Sequence, residues 1–250
     1  MKIPLSLVVI TRDEEDHIDR CLSSVPFASE IIVLDSFSTD KTAEKSKAHG
    51  AKVYQEKFLG FGPQRNRAVA LASHDWVLCL DADEALSESA QKAVIDLFKS
   101  GTPEKSAYQF ARLSFHMGRW IRHGGWFPDW QLRLFNRKQA GWDQALIHEK
   151  VVANGEVGRI REPIQHWVFD DLADQIQTNN KYSTLGAQTL QKKGKRFQLF
   201  QLLTKPVFKF LETYVWKRGF LDGLPGFVIA VGAAYSIFLK YAKLWEMDKK

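Results

Sequence analysis

The chain has 250 residues, of which 45% are hydrophobic and 26% are charged, and its formal net charge is +6 at pH 7. This composition excludes an intrinsically disordered protein and is typical of one large domain, or of one domain with an appendage. Residues 192–250 hold 12 Lys/Arg and 4 Asp/Glu, a balance of +8 that leaves −2 for residues 1–191, so the tail is predicted to meet an anionic partner.

Strands and helices alternate through the first hundred residues. Strands are predicted over 5–11, 30–35, 51–56 and 75–81. Helical spacing of apolar residues, together with capping residues and terminal glycines, predicts helices over 14–25, 38–50, 64–73 and 87–101. This alternation predicts an α/β fold with a mostly parallel sheet, in which ligands bind beyond the carboxyl ends of the strands.

The pattern changes after Ala107. Further strands are predicted over 107–115 and 130–136, separated by an aromatic, Gly-rich loop, and from about Asp170 the chain is predicted to be helical. We therefore divide it into a first domain, residues 1–165, and a helical region, residues 166–250. The two cysteines suggest no disulfide framework, which favours a reducing cytoplasm.

Acidic residues crowd the end of the fourth predicted strand, in "VLCLDADEAL". Asp81, Asp83 and Glu84 repel one another unless a positive charge lies between them, and a divalent cation such as Mg²⁺ or Mn²⁺ is the obvious candidate. Thr11 and Asp35 end the first and second strands, so they are predicted to reach the same edge of the sheet. The alternative is a solvated loop with an acid near the next helix N-terminus.

The second strand is followed by "DSFSTDKT". Asp35 with the hydroxyls and Asp40 behind it resembles a nucleoside clamp, and helix capping is the alternative role for Ser38, Thr39 and Asp40. The sequence contains neither the G-x-G-x-x-G fingerprint after strand one nor the G-x-x-x-x-G-K-[ST] loop, so dinucleotide and P-loop interpretations lose their main support.

Four segments in this order, "VVITRDEEDHIDRCLSSV", "IIVLDSFSTDKT", "GFGPQRNRA" and "WVLCLDADE", resemble the nucleotide-sugar domain of glycosyltransferase family 2. The narrower resemblance, carried by "GFGPQRNRA", "QLRLFN…HEKV" and "KRGFLDGLPGF", is to bacterial lipopolysaccharide inner-core β-1,4-glucosyltransferases that act on heptose. The resemblance implies a GT-A-type, Rossmann-like fold with a mostly parallel central sheet and a helical C-terminal extension.

The resemblance also implies how a nucleotide-sugar donor is bound. Thr11 and Glu14 would line the nucleotide pocket, Asp35 would bind the uracil or ribose, and Arg65 would reach the base. Asp81 would approach the ribose or a metal-bound water.

In the same resemblance Asp83 would hold Mg²⁺ or Mn²⁺ against the donor diphosphate. The cation would neutralise charge on the leaving nucleoside diphosphate.

An inverting transferase needs a general base for the acceptor hydroxyl, and the family places an acid after the later strands. "QALIHEKV" offers Glu149 as the base and His148 as a metal ligand or a phosphate contact. Asp129 in "FPDWQLR" is the rival base, and an exposed strand-end pair at 148–149 is the alternative without a catalytic role.

Sugar faces are apolar and stack on indoles, so the aromatic loop over residues 116–130 is predicted to form an acceptor platform, with packing under a lid as the alternative. The basic, aromatic tail has an uncharged run of 17 residues, 223–239, shorter than the roughly 20 that a spanning helix needs. Amphipathic helices lying in the membrane interface are predicted instead, with core helices as the alternative. Recognised nucleic-acid motifs are absent from the sequence.

Together these features predict inverting, metal-dependent transfer of one hexose, glucose from UDP-glucose, to an inner-core lipopolysaccharide heptose at the cytoplasmic face of the inner membrane. A polyprenyl phosphate or another lipid acceptor is the alternative within enzymes. A non-catalytic, peripheral membrane-binding module is the alternative from another class.

Overall fold

A computed structural model describes residues 2–99, 101–143 and 150–249. The chain forms two compact units: Met1–Arg112 with Asp129–His166, and Leu113–Pro128 with Trp167–Lys250. The strands are β1 Ile3–Thr11, β2 Ala28–Asp35, β3 Lys52–Gln55, β4 Trp76–Asp81, β5 Glu84–Leu86, β6 Ala107–His116, β7 Arg119–Ile121, β8 Asp129–Asn136, β9 Ala140–Trp142, β10 Val151–Ala153 and β11 Val157–Trp167. The α-helices are α1 Ile18–Ser23, α2 Thr42–Ala48, α3 Phe61–Ala70, α4 Glu88–Lys99, α5 Leu172–Lys192, α6 Leu199–Leu211 and α7 Gly223–Asp248.

The main sheet has the strand order β3-β2-β1-β4-β8-β6-β11-β5, and β7 pairs with β6. Strands β3, β2, β1 and β4 are parallel neighbours, whereas β8 runs antiparallel to β4 and to β6. The α/β class and the helical C-terminal region are thus confirmed. Parallel pairing is seen among β1 to β4, the four strands predicted within the first hundred residues.

Strand β1 is buried on both faces, which explains its unbroken apolar run. Leu7 and Val9 point into a cluster that includes Phe98 of α4, whereas Val8 points into a second cluster that includes Val69 of α3. This alternation follows from the two-residue period of a strand. The parallel strands are therefore held between two layers of helices, and their carboxyl ends are fixed in register.

Helix α2 begins at Thr42, four residues later than the capping cluster suggested. The side chain of Ser38 accepts a hydrogen bond from the Asp13 amide at 2.8 Å, and that of Asp40 accepts one from the Glu15 amide at 3.0 Å. Ser38 thus binds the loop after β1. Asp40 does so too, but its other oxygen accepts a hydrogen bond at 3.0 Å from the amide of Thr42, the first residue of α2, so it also supports the start of the helix.

Glu30 in β2 is buried, and its carboxylate accepts hydrogen bonds from Ser6 Oγ at 2.6 Å, the Ser73 amide at 2.7 Å and Lys52 Nζ at 2.8 Å. Burial by itself would raise the pKa of Glu30, but Lys52 and the other donors lower it to about 2. The carboxylate is therefore ionised at neutral pH.

We expect Glu30→Gln to lower the free energy of unfolding at neutral pH by about 2 kcal/mol, because a depressed pKa stabilises the folded state above the ordinary pKa. The difference from the wild type should shrink as the pH falls from 4.5 towards 2, where the folded carboxyl also takes up its proton. Urea unfolding at a series of pH values measures it. Glu156→Gln, which removes an exposed acid paired with Lys105, is the control. A difference that does not change with pH would contradict this account.

Candidate active site

The predicted strand-end residues meet at one edge of the sheet. Thr11 lies opposite Asp35 in the β1–β2 register, and Ile10 lies opposite Asp81 in the β1–β4 register. Since these strands are parallel, their carboxyl ends open on the same side. The first unit therefore brings together Thr11, Asp35 and Asp81, as the sequence predicted.

Asp35 is fully buried, and its carboxylate is surrounded by donors. It accepts hydrogen bonds from Thr11 Oγ1 at 3.0 Å, the Ser38 amide at 3.0 Å and Gln55 Nε2 at 3.1 Å, and a further one from the Ser38 hydroxyl. Asp35 thus fixes the turn after β2 against the ends of β1 and β3. This turn and the loop after β1 therefore lie side by side at the carboxyl edge of the sheet.

The loop after β1 is held against that turn by reciprocal hydrogen bonds. Asp13, with a positive φ of 54°, accepts a hydrogen bond from the Thr39 amide at 2.7 Å. The Glu14 amide donates to Thr42 Oγ1 at 2.7 Å, and its carboxylate lies 3.1 Å from His17 Nδ1. Glu14 is therefore anchored through its backbone, in a loop whose conformation is set before any ligand arrives.

Arginines supply the positive charge that the acid cluster at the end of β4 requires. The Nη2 of Arg133, from β8, lies 2.5 Å from Asp81 Oδ2 and 2.6 Å from Glu84 Oε1. Arg65 Nη2, from α3, lies 2.6 Å from the other oxygen of Asp81. A cation does lie between the two carboxylates, but it is a guanidinium from the chain itself.

The pairing continues as an alternating chain of charges. Glu84 also lies 3.3 Å from Arg112 Nη1, and Arg112 Nη2 lies 2.6 Å from Asp129. Asp129, the rival base, accepts a second hydrogen bond from Gln131 at 2.9 Å on its other oxygen. Three arginines thus neutralise three acids along the edge of the sheet.

Burial would raise the pKa of Asp81, but the charges of Arg133 and Arg65 outweigh it and hold that pKa well below its ordinary range. Desolvation would likewise lower the pKa of Arg133, and its acidic partners raise that pKa instead. Each group thus keeps its partner ionised. The Asp81–Arg133 pair is therefore ionised at neutral pH.

Asp83 stands apart from these arginines. Its side chain is 31% exposed, and its Oδ2 lies 3.2 Å from Nε2 of the more buried His166. Mg²⁺ is commonly held by one or two carboxylates, with substrate phosphates and water completing the shell. An accessible carboxylate fits that role, and the described residues contain no group of three metal-ligating side chains that would form a closed site.

Arg65 is positioned by more than its ion pair. Its guanidinium lies over the Trp142 ring, 4.6 Å from the centroid, and 5.7 Å from that of Phe61. Asn66, the next residue on α3, donates to the Trp142 carbonyl at 2.8 Å and so fixes the strand that carries the indole. Cation–π contact and charge pairing together hold Arg65 in one orientation.

Two predicted residues, Glu149 and His148, lie in the segment 144–149, outside the described residues. Three residues of the site were not among those predicted: Arg112, Arg133 and His166. An arginine within the apolar stretch "LRLF" was a usable signal for Arg133, because a strand seldom buries a guanidinium without acids to pair with it.

The part of the aromatic loop that lies in the second unit, residues 116–128, packs mainly against other aromatic residues of that unit. Trp126 stacks on His116 at 5.7 Å, and Trp120 lies edge-on to Trp167 at 5.3 Å. The carboxylate of buried Asp222 accepts hydrogen bonds from the amides of Arg122 and His123, at 3.1 and 2.7 Å. Some of the predicted platform residues therefore serve packing, and the loop is tied to the C-terminal region.

Known glycosyltransferases resemble this chain in sequence and in fold. A family profile described as Glycosyl transferase family 2 matches residues 6–164. An uncharacterized glycosyltransferase of Rickettsia typhi is 32% identical over 98% of this chain and 88% of its own length. The lipopolysaccharide core biosynthesis glycosyltransferase LpsC of Rhizobium meliloti is 30% identical over 98% of this chain and 93% of its own.

Among solved structures, mannosyltransferase PcManGT from Pyrobaculum calidifontis, in complex with GDP-Man and Mn²⁺, superimposes with a TM-score of 0.56. The superposition covers 100% of this chain and 89% of that one, at 13% sequence identity. This likeness shows a shared fold.

We expect Arg133→Met to lower the free energy of unfolding by about 3–5 kcal/mol, because it leaves Asp81 and Glu84 without the cation between them. Chemical denaturation of the purified protein measures the loss. Lys138→Met, which breaks the exposed pair with Asp75, is the control and should cost less than about 1 kcal/mol. Equal losses in the two variants would show that the buried network does not hold this edge together.

Proposed function

The chain belongs to glycosyltransferase family 2 and is a nucleotide-sugar glycosyltransferase, and from that premise we propose that it transfers a single glucose from UDP-glucose to an inner-core lipopolysaccharide heptose. Family membership confirms the resemblance, the GT-A-type fold and the enzyme class predicted from sequence. It also decides against the non-catalytic binding module. The observation that carries the acceptor is the near full-length similarity to a lipopolysaccharide core glycosyltransferase.

In this proposal the pocket at the carboxyl edge of the sheet receives the donor. Thr11 and Glu14 line it, Asp35 lies at the uracil or ribose, and Arg65 reaches the base. Asp81 approaches the ribose or a metal-bound water. The interlocked loops after β1 and β2 support this assignment, because a pocket whose walls are already ordered costs little conformational entropy on binding.

Asp83 is proposed to hold Mg²⁺ or Mn²⁺, with His148 from the segment 144–149 as the second ligand. Such a cation, when bound, stabilises the negative charge of the departing UDP. The arginine pairing of Asp81 and Glu84 supports the choice of Asp83, since both oxygens of Asp81 already accept from guanidinium groups.

The general base is proposed to be Glu149, with Asp129 as the alternative. The base must accept the proton of the attacking acceptor hydroxyl as the anomeric carbon inverts. Asp129 gives one oxygen to Arg112 and the other to Gln131. Both oxygens of Asp129 are thus engaged by other side chains and are less available to an acceptor hydroxyl, which favours Glu149.

The C-terminal region is proposed to lie on the cytoplasmic face of the inner membrane. Among the described residues one helix, Gly219–Asp248, has the length and hydropathy to cross a bilayer, and only 22% of its most apolar window is buried. Its Lys243 donates to Asn180 Oδ1 at 2.6 Å and to Ser183 Oγ at 2.8 Å on α5. Because α5 is a polar helix, a crossing would draw it into lipid, which supports an interfacial position.

We expect the purified protein to release UDP slowly from UDP-glucose when Mn²⁺ or Mg²⁺ is present, because water replaces the missing acceptor. EDTA should abolish the release, and GDP-mannose should give none. A coupled assay for free nucleoside diphosphate measures it across a panel of nucleotide sugars. Equal release in EDTA would contradict the metal role, and release from GDP-mannose alone would contradict the donor.

Acceptor identity is tested separately, with the same protein and radiolabelled donor. Label should pass to heptose-containing lipopolysaccharide core that lacks this glucose. Transfer to a polyprenyl phosphate instead would favour the alternative acceptor.

We expect Glu149→Gln to reduce turnover by about 10² or more while UDP binding is unchanged, because the amide keeps the shape but accepts no proton. Asp129→Asn is the matched variant and should reduce turnover less. Steady-state kinetics and calorimetry with UDP distinguish the two roles. Loss of UDP binding in Glu149→Gln would move that residue to the donor site, and normal turnover would assign the base to Asp129.

A further inference from the structure

A basic groove opens between α6, the π-helical turn Glu212–Trp216 and α7. It has a volume of about 280 Å³, and Lys205, Lys209 and Lys240 converge on it between the rings of Phe208 and Trp216. All of these residues belong to the second unit. We call this site the lysine groove.

Its positive charge is only partly neutralised. Lys209 Nζ lies 3.0 Å from Glu212, but the same carboxylate also pairs with Lys217 at 2.5 Å. Within the part of the chain that the structure describes, neither Lys205 nor Lys240 has a carboxylate partner, and Lys240 contacts the Tyr241 ring at 5.0 Å. Burial and then the charges of Lys205 and Lys209 lower the pKa of Lys240. Amino groups that converge in this way repel one another, and an anion bound between them would relieve the repulsion.

Helix α5 accommodates the side chain of Lys240 at Gly186. A Cβ at Gly186 would lie 2.9 Å from Cδ and 3.3 Å from Cγ of Lys240, so the glycine leaves room for the lysine stem. Glycine inside a helix is destabilising relative to alanine. Gly186 lies in the C-terminal half of α5, where a larger side chain would contact the Lys240 stem.

The surface beside the groove is apolar and uncovered. Helix α6 has no buried residue, and Leu199, Leu203 and Val207, spaced four residues apart, form an exposed stripe. Phe200 on the same helix is 74% exposed. At about 100° per residue, Lys205 and Lys209 lie on a different face of α6 from this stripe, and Phe208, which lines the groove and is 57% exposed, lies between the two. An exposed apolar face thus adjoins a cationic groove, and together they match the two halves of an anionic lipid.

We propose that the lysine groove binds the phosphate of an anionic phospholipid, whose acyl chains lie along the apolar stripe of α6. The proposal rests on the membrane location given under the proposed function and adds to it a defined site for the headgroup. It would fix the orientation of the second unit on the bilayer, which general charge attraction does not do.

The test compares two double variants with the same change in charge. Lys205→Met/Lys240→Met removes two amino groups from the groove but keeps apolar stems, and Lys193→Met/Lys195→Met removes two exposed lysines elsewhere in the tail. Sedimentation with phosphatidylcholine vesicles containing phosphatidylglycerol should show at least about tenfold weaker binding for the groove variant than for the control. Vesicles of phosphatidylcholine alone should bind both variants equally.

Equal losses in the two variants would overturn the proposal, because general attraction to anionic lipid would then account for the binding. Displacement of the wild type by inorganic phosphate would assign the groove to free phosphate instead of lipid. Lys205→Met alone, on an exposed part of α6, keeps the test valid if the double variant unfolds. UDP release without vesicles is measured on the same samples: its absence in the wild type would count against the proposed function and leave the groove unaffected.

Discussion

The guanidinium of Arg133, between Asp81 and Glu84, is the interaction on which the candidate active site depends. Two carboxylates at the end of a buried strand would repel each other and lose hydration, and removing one partner of such a buried group is strongly destabilising. Arg133 comes from β8, so the same contact joins the last parallel strand to the antiparallel part of the sheet. The charge pairing therefore stabilises the fold and sets the position of the short acidic turn that carries Asp83.

Asp83 differs from Asp81 and Glu84 in its partners and its exposure. Asp81 and Glu84 are satisfied by arginines, whereas Asp83 keeps an accessible carboxylate next to His166. At the ends of β1 and β2, Asp13 holds the loop after β1 to the turn after β2 through the Thr39 amide, and Asp35 fixes that turn through the Ser38 amide. In the proposed function, a donor nucleotide would meet these ordered loops, with the partly exposed Asp83 carboxylate at its diphosphate. Preorganisation of this kind lowers the cost of binding and positions the leaving group.

Sequence reasoning succeeded where local patterns are strong. The runs of β1, β2 and β4 are apolar because both faces are buried, and the residues that end them share one edge because the strands are parallel. It failed where partners are distant: Arg133 lies 52 residues from Asp81, and no local pattern joins them. The three-residue strand β5 is too short for a periodicity, and its pairing with β11 depends on the completed sheet. The tail was predicted as helical, but the convergence of Lys205 and Lys240 needs the helices to pack.

In the proposed site, arginines pair with Asp81 and Glu84, and Asp83 holds the cation that binds the donor diphosphate. Electron paramagnetic resonance of Mn²⁺ tests it directly, because free Mn²⁺ gives a sharp signal that broadens when it is bound. With UDP present, the wild type should deplete the free signal beyond UDP alone, Asp83→Asn should not, and Asp75→Asn, an exposed acid elsewhere, should behave as the wild type. Equal depletion by Asp83→Asn and the wild type would contradict the account.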